Sequence, residues 1–138
     1  MPSSAPVEPG HDAGGRPLVL VVDDQSSLRS LIRVNLELEG FVVAEAVDGV
    51  DCLEQARRLR PDLITLDIVM PRLDGLSTAA ELRADPRLRD IPIVMVTTSG
   101  QSQDLLRARA VGVEAYLTKP YDPDEMVETV RRLVASSR

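Results

Sequence analysis

Apolar residues fall along the chain in two alternating rhythms. Short β-type runs, "LVLVVD" (18–23), "FVVAEA" (41–46), "DLITLD" (62–67), "IPIVMVT" (91–97) and "VEAYLT" (113–118), read as five strands. Segments with helical spacing stand between them. In the first, Leu28, Leu31, Ile32 and Leu36 share one face, Ser26 or Ser27 is placed to cap its start, and Gly40 stops it. Residues 48–61, 75–85, 102–112 and 122–137 supply four more, most of them punctuated by Gly or Pro. The order is therefore (βα)5. The first, third and fourth strands are nearly all apolar, as strands covered on both faces must be. Right-handed crossovers then give an α/β fold with a parallel, doubly wound five-stranded sheet.

Ahead of this pattern, residues 1–17 are rich in Pro, Gly, Ser and Ala and have little to bury, so a disordered tail is expected, with one domain over 18–138. A chain of 138 residues suits a single core. Its 43% hydrophobic and 28% charged residues are those of an ordinary globular domain. The net charge is -6 and basic residues form no block, which argues against direct nucleic-acid binding. Cys52 and His11 are single representatives of their types, which excludes an intrachain disulfide and a His/Cys metal cluster. No run is apolar enough to span a bilayer, and the N-terminus lacks the apolar segment of a secretory signal. A cytoplasmic location without membrane contact is expected.

In open parallel sheets the working site lies beyond the carboxyl ends of the strands. Those ends carry Asp23 and Asp24, then Asp67, then Thr97 with Thr98 and Ser99, then Lys119 and Pro120. Most have ordinary readings one at a time. Asp23 and Asp24 suit a helix N-terminus, Thr98 and Ser99 a loop and cap, Lys119 a surface lysine, and Asp74-Gly75 a turn, while Cys52 and Met95 suit the core. Asp67 is different, because a carboxylate between Leu66 and Ile68 has no cap to make and is costly to bury without a partner. All of these polar groups fall at one end of the inferred sheet. Three carboxylates brought together repel one another unless a cation joins them, and a hard divalent ion such as magnesium is the one oxygen ligands favour. With Lys119 added, such a site is near neutral and has attraction left for a phosphoryl group.

The segments "VLVVDDQSSLR", "DLITLDIVMPRLDGL", "PIVMVTTSG" and "AYLTKP" resemble the receiver domain of two-component response regulators, in particular the CheY type, from about Leu18 to Val134. The resemblance implies a flavodoxin-like sheet of order 2-1-3-4-5. It also implies that Asp67 is the phosphoacceptor, Asp24 a direct metal ligand, Asp23 a ligand through water, and the backbone carbonyl of Val69 a further ligand. Magnesium is the implied ion, with manganese able to replace it. Thr97 matches the switch hydroxyl, Tyr116 the aromatic side chain that follows it, Lys119 the cation that pairs with Asp67 and then the phosphoryl group, and Pro120 a position preceded by a cis peptide. The implied donor is a phosphohistidine on a sensor histidine kinase or histidine phosphotransfer protein. The implied output is a changed surface on the fourth helix, fifth strand and fifth helix, around Arg107, Tyr116 and Tyr121, which controls a downstream protein. Such a chain is a phosphorelay switch that assists its own phosphorylation rather than an enzyme, either monomeric or dimerising on phosphorylation.

Val69, Thr98 and Ser99 occupy positions that tune hydrolysis in similar proteins. An apolar Val69 cannot hold an attacking water, so slow dephosphorylation is expected. Three other readings stay open at this point. A haloacid-dehalogenase-type phosphatase also uses a strand-end Asp, but requires an acid where Val69 stands. A flavodoxin-like FMN carrier needs a phosphate loop where "DDQSS" presents two carboxylates. The third is a receiver belonging to a longer DNA-binding regulator.

Overall fold

The computed structural model describes residues 15–70, 72–97 and 102–136. Five strands, β1 (Leu18–Val22), β2 (Val42–Ala46), β3 (Leu63–Leu66), β4 (Ile93–Thr97) and β5 (Ala115–Thr118), alternate with α1 (Ser26–Leu38), α2 (Gly49–Leu59), α3 (Gly75–Ala84), α4 (Ser102–Val111) and α5 (Pro123–Ser136). The sheet is parallel throughout, in the order β2-β1-β3-β4-β5. Each strand is shorter than its sequence pattern by one or two residues. The acids that close the first and third patterns nonetheless finish the ladder: the Asp23 amide donates to Ala46 O at 3.2 Å and the Asp67 amide to Val22 O at 3.2 Å.

Strand alternation sorts the core into two layers. Val19, Val21, Leu63, Val94, Val96 and Leu117 pack with Ile32 and Leu36 of α1 and Met126 and Val130 of α5. Leu20, Val22, Ile64, Leu66 and Met95 pack on the opposite face with Cys52 and Ala56 of α2, Ala79 and Leu82 of α3, and Ala108 of α4. Cys52 and Met95 are thus core residues, as expected, and burial pushes the Cys52 thiol up to about 12.

Helix starts correct two expectations. Ser26 and Ser27 lie inside α1, past the cap position; Gln25 is the N-cap, without a side-chain bond of its own. The helix over 75–85 starts where the sequence put it, so the separate turn reading of Asp74-Gly75 gives way: Asp74 caps α3 by accepting from the Ser77 amide at 2.8 Å, and Gly75 is its first residue. Asp48 caps α2 in the same way, accepting from the Asp51 amide at 2.8 Å. Gly40 closes α1 as expected, with φ +94 and its amide on Glu37 O at 3.1 Å. The sequence-based tail falls almost wholly on residues 1–14, outside the described residues.

Candidate functional site

Strand alternation also places the site. Asp23 continues the row Val19-Val21, Asp67 the row Leu63-Thr65 and Lys119 the row Ala115-Leu117, so all three leave the sheet on the α1/α5 side at its carboxyl end. The Lys119 ammonium donates to Asp23 Oδ2 at 2.9 Å and to Asp67 Oδ2 at 3.1 Å. Its side chain is only 9% exposed, so the surface reading of this lysine is overturned. Asp23 and Asp67 are buried, while Asp24, the next residue along, is exposed at the rim. One carboxylate oxygen from each of Asp23, Asp24 and Asp67 lies within 4.8 Å of the others.

The charges respond as this geometry requires. Burial raises the Asp67 carboxyl above the usual carboxylate range, and the nearby Lys119 charge works against that rise. Burial alone would lower the Lys119 ammonium, but its hydrogen bonds and charge contacts with Asp23 and Asp67 outweigh this and hold it higher than usual. Tyr121, half-buried near Asp23, is pushed up to about 12, chiefly by the burial of its hydroxyl. One lysine therefore faces three acids, and the balance is a net negative pocket built wholly of hard oxygen donors. That donor set fits a small divalent cation.

The segment after Asp67 is held from two directions. Gly75 donates its amide to Ile68 O at 2.8 Å, and a Cβ on Gly75 would overlap the Asp67 carbonyl oxygen. Only glycine lets α3 start so close under the backbone of Asp67 and Ile68. Farther along, Arg72 adopts a left-handed φ of +65 and grips Asp48 with two guanidinium bonds of 2.7 and 3.0 Å. That grip holds the Asp48 carboxyl well below the usual range. The Asp48–Arg72 pair did not stand out in the sequence, and Gly75 was marked there only as a glycine beside an acid, with no sign of its approach to Asp67. Val69 donates its amide to Asp67 Oδ1 at 3.3 Å and leaves its side chain 65% exposed at the mouth of the site.

Thr97 ends β4, opposite Thr118 in register, and Tyr116 lies opposite Met95, half-buried against the α2/α3/α4 layer. The Thr97 side chain, together with Thr98 and Ser99, lies outside the described residues. The Lys119–Pro120 peptide is cis, as the resemblance implied.

A parallel 2-1-3-4-5 sheet with three acids and a lysine at its carboxyl end defines a class, and comparison with known proteins agrees with it. The family model for the response regulator receiver domain matches residues 19–131, and the chain belongs to that family. It is similar to the DNA-binding dual master transcriptional regulator RpaA of Synechocystis, at 42% identity over 86% of this chain and 49% of that protein. It is also similar to the alkaline phosphatase synthesis transcriptional regulatory protein PhoP of Bacillus subtilis, at 36% identity over 86% of this chain and 49% of that one. Among solved structures, the Vibrio cholerae chemotaxis protein CheY4 superposes with a TM-score of 0.81 at 31% identity, covering 86% of this chain and 98% of that one. The chain spans about half the length of the curated relatives it matches. Among the described residues no helix is long and apolar enough to cross a membrane.

Proposed function

We propose that this receiver is a phosphorelay switch in which Asp67 accepts a phosphoryl group from a phosphohistidine on a sensor histidine kinase or histidine phosphotransfer protein. The observation that carries the reading is the convergence of Asp67 with Asp23, Asp24 and Lys119 at one strand end. An Asp67 carboxylate oxygen attacks phosphorus as the P–N bond of the donor imidazole breaks, giving an aspartyl phosphate and returning the electron pair to the imidazole ring. Lys119, already bonded to Asp67, is placed to follow the negative charge onto the phosphoryl oxygens. Asp23, Asp24, Asp67 and the Val69 carbonyl are the groups that would hold magnesium, or manganese in its place. Bound there, the ion supplies charge neutralisation that lets an anionic donor approach.

Thr97 is the proposed switch hydroxyl and Tyr116 the ring that responds to it, with the readout on the α4–β5–α5 face around Arg107, Tyr116 and Tyr121. Moving such a switch from mostly off to mostly on needs about 5 kcal/mol of preference between two states. Val69, with Thr98 and Ser99, is the proposed control over the lifetime of the phosphoryl group. The target is a protein partner, or an output domain of the DNA-binding kind carried by RpaA; the acidic receiver gives no footprint for nucleic acid in either case. A cytoplasmic location fits this role, as does either a monomer or a phosphorylation-dependent dimer.

The test is intact mass after incubation with a small phosphodonor and magnesium. One phosphoryl group should be gained by the parent and none by Asp67→Asn. Equal labelling of the variant rejects Asp67 as acceptor.

A further inference from the structure

The peptide unit that joins Asp23 to Asp24 is gripped from outside the site. Arg29, one turn into α1, donates from Nη1 to the Asp23 carbonyl oxygen at 2.8 Å and from Nε to Glu45 Oε1 at 2.7 Å. Glu45 lies in β2, opposite Val21 in register, and its other oxygen is paired with Arg33. The Arg29 side chain is only 15% exposed, so both contacts are made largely out of water. Asp23 is thereby fixed at each of its remaining polar groups as well: its amide on Ala46 O, Oδ1 under the Gln25 amide, and Oδ2 on Lys119.

A peptide group is planar, so pinning the oxygen of residue 23 also fixes the direction of the amide nitrogen of residue 24 and hence the path to its Cα. We infer that Arg29, oriented by Glu45, is a positioning residue that aims the exposed Asp24 carboxylate at the metal position. The inference rests on the metal reading of the three acids. Arg29 touches neither the acceptor nor the expected ion. Its influence passes through one backbone carbonyl, in the way outer hydrogen bonds commonly orient metal ligands.

Coulomb's law makes the test sharp, because positioning and charge predict opposite signs. Removing a cation beside a cation site should tighten metal binding if charge is what matters. Positioning predicts weaker binding. Magnesium titration followed by amide NMR is expected to show affinity about tenfold weaker in Arg29→Met. Arg33→Met, which breaks the same Glu45 anchor without touching the site backbone, should stay within about twofold of the parent. Arg29→Met binding as tightly as the parent, or more tightly, overturns the inference, and so does an equal loss in Arg33→Met. Arg29→Lys provides a milder disturbance should Arg29→Met fold poorly: it keeps the charge but loses the guanidinium fork, so positioning predicts a smaller loss in the same direction and charge predicts none. Hydrogen exchange of the Gln25 amide without metal reads the turn directly and should be faster in Arg29→Met. Unchanged exchange there overturns the inference even if magnesium binds. A parent that binds no magnesium defeats the metal reading, whereas faster Gln25 exchange in Arg29→Met would then still uphold the grip on the turn.

Discussion

At the amino ends of the strands, Arg83 donates to the carbonyls of Arg89, Ile91 and Gly112 at 3.0, 2.7 and 2.8 Å and to Glu114 Oε1 at 2.7 Å. Glu114 in turn accepts the Ile93 amide at 2.8 Å, and Asp62 accepts the Leu18 amide at 2.8 Å. At the carboxyl ends, a single lysine is shared between two buried acids while a third acid waits at the rim. The same sheet is therefore finished in two ways. One end matches charge to charge and charge to backbone, which ties loops together and leaves little to offer a ligand. The other keeps an excess of one sign, which costs stability and creates affinity for what is missing. A receiver needs both, because a site with unbalanced charge holds its shape only on a frame that is balanced elsewhere.

The sharpest way to break this comparison is at Asp67, the proposed acceptor. Asp67→Asn should abolish phosphoryl uptake altogether while leaving a folded, cooperatively melting domain, since the amide keeps the shape and removes the proposed nucleophile. Mass spectrometry and thermal unfolding check the two halves. Next in size is Gly75→Ala, where the added methyl meets the Asp67 carbonyl. A loss of about 3 kcal/mol in denaturant unfolding is expected, with impaired labelling in whatever folds, because the frame and the site meet at that residue.

Arg83→Met tests the opposite end. It should cost about 2 kcal/mol through its lost charged hydrogen bonds, yet leave magnesium affinity and labelling unchanged. A matching fall in magnesium affinity would show that the two ends are not separable. The smallest effect is expected from Asp24→Asn. Without metal it should raise the melting temperature by about 2 °C at low salt, because one of three like charges is gone, and high salt should erase the gain. With magnesium present the order should reverse, since only the parent is stabilised by binding.

The contrast between the two ends also separates what was legible in the sequence from what was not. Periodicity alone supported five strands, five helices and a parallel sheet, because each apolar run is short and each helix keeps one face. Asp67 was legible for a physical reason: a carboxylate inside an apolar run has to be accounted for. The strand order came only through the family resemblance. Lys119 was placed at the site by its position at a strand end, but its burial was not legible, since no local pattern says that a lysine before a proline will reach across two strands. The helix start at Gly75 was legible, although a glycine after an acid serves turns and helix starts alike. Its close approach to Asp67 depends on how α3 packs. The Arg29–Glu45 contact was invisible for a similar reason: its partners are sixteen residues apart and meet only after β2 pairs with β1. Ser26 and Ser27 misled because hydroxyls one residue into a helix look the same in a sequence as hydroxyls at its cap.

Asp23, Asp67 and Lys119 leave three different strands on one side of the sheet because each follows its strand's buried row in step. This makes the site a counting device. One residue added or deleted within β1, β3 or β5 would turn the corresponding group toward α2 and α3 and would invert the apolar rows beneath it, so fold and site would fail together. Changes of length are therefore tolerated only outside these strands. For engineering, the same arithmetic means that added residues belong outside β1, β3 and β5, in loops that the contacts of Arg83, Glu114 and Asp62 do not tie down.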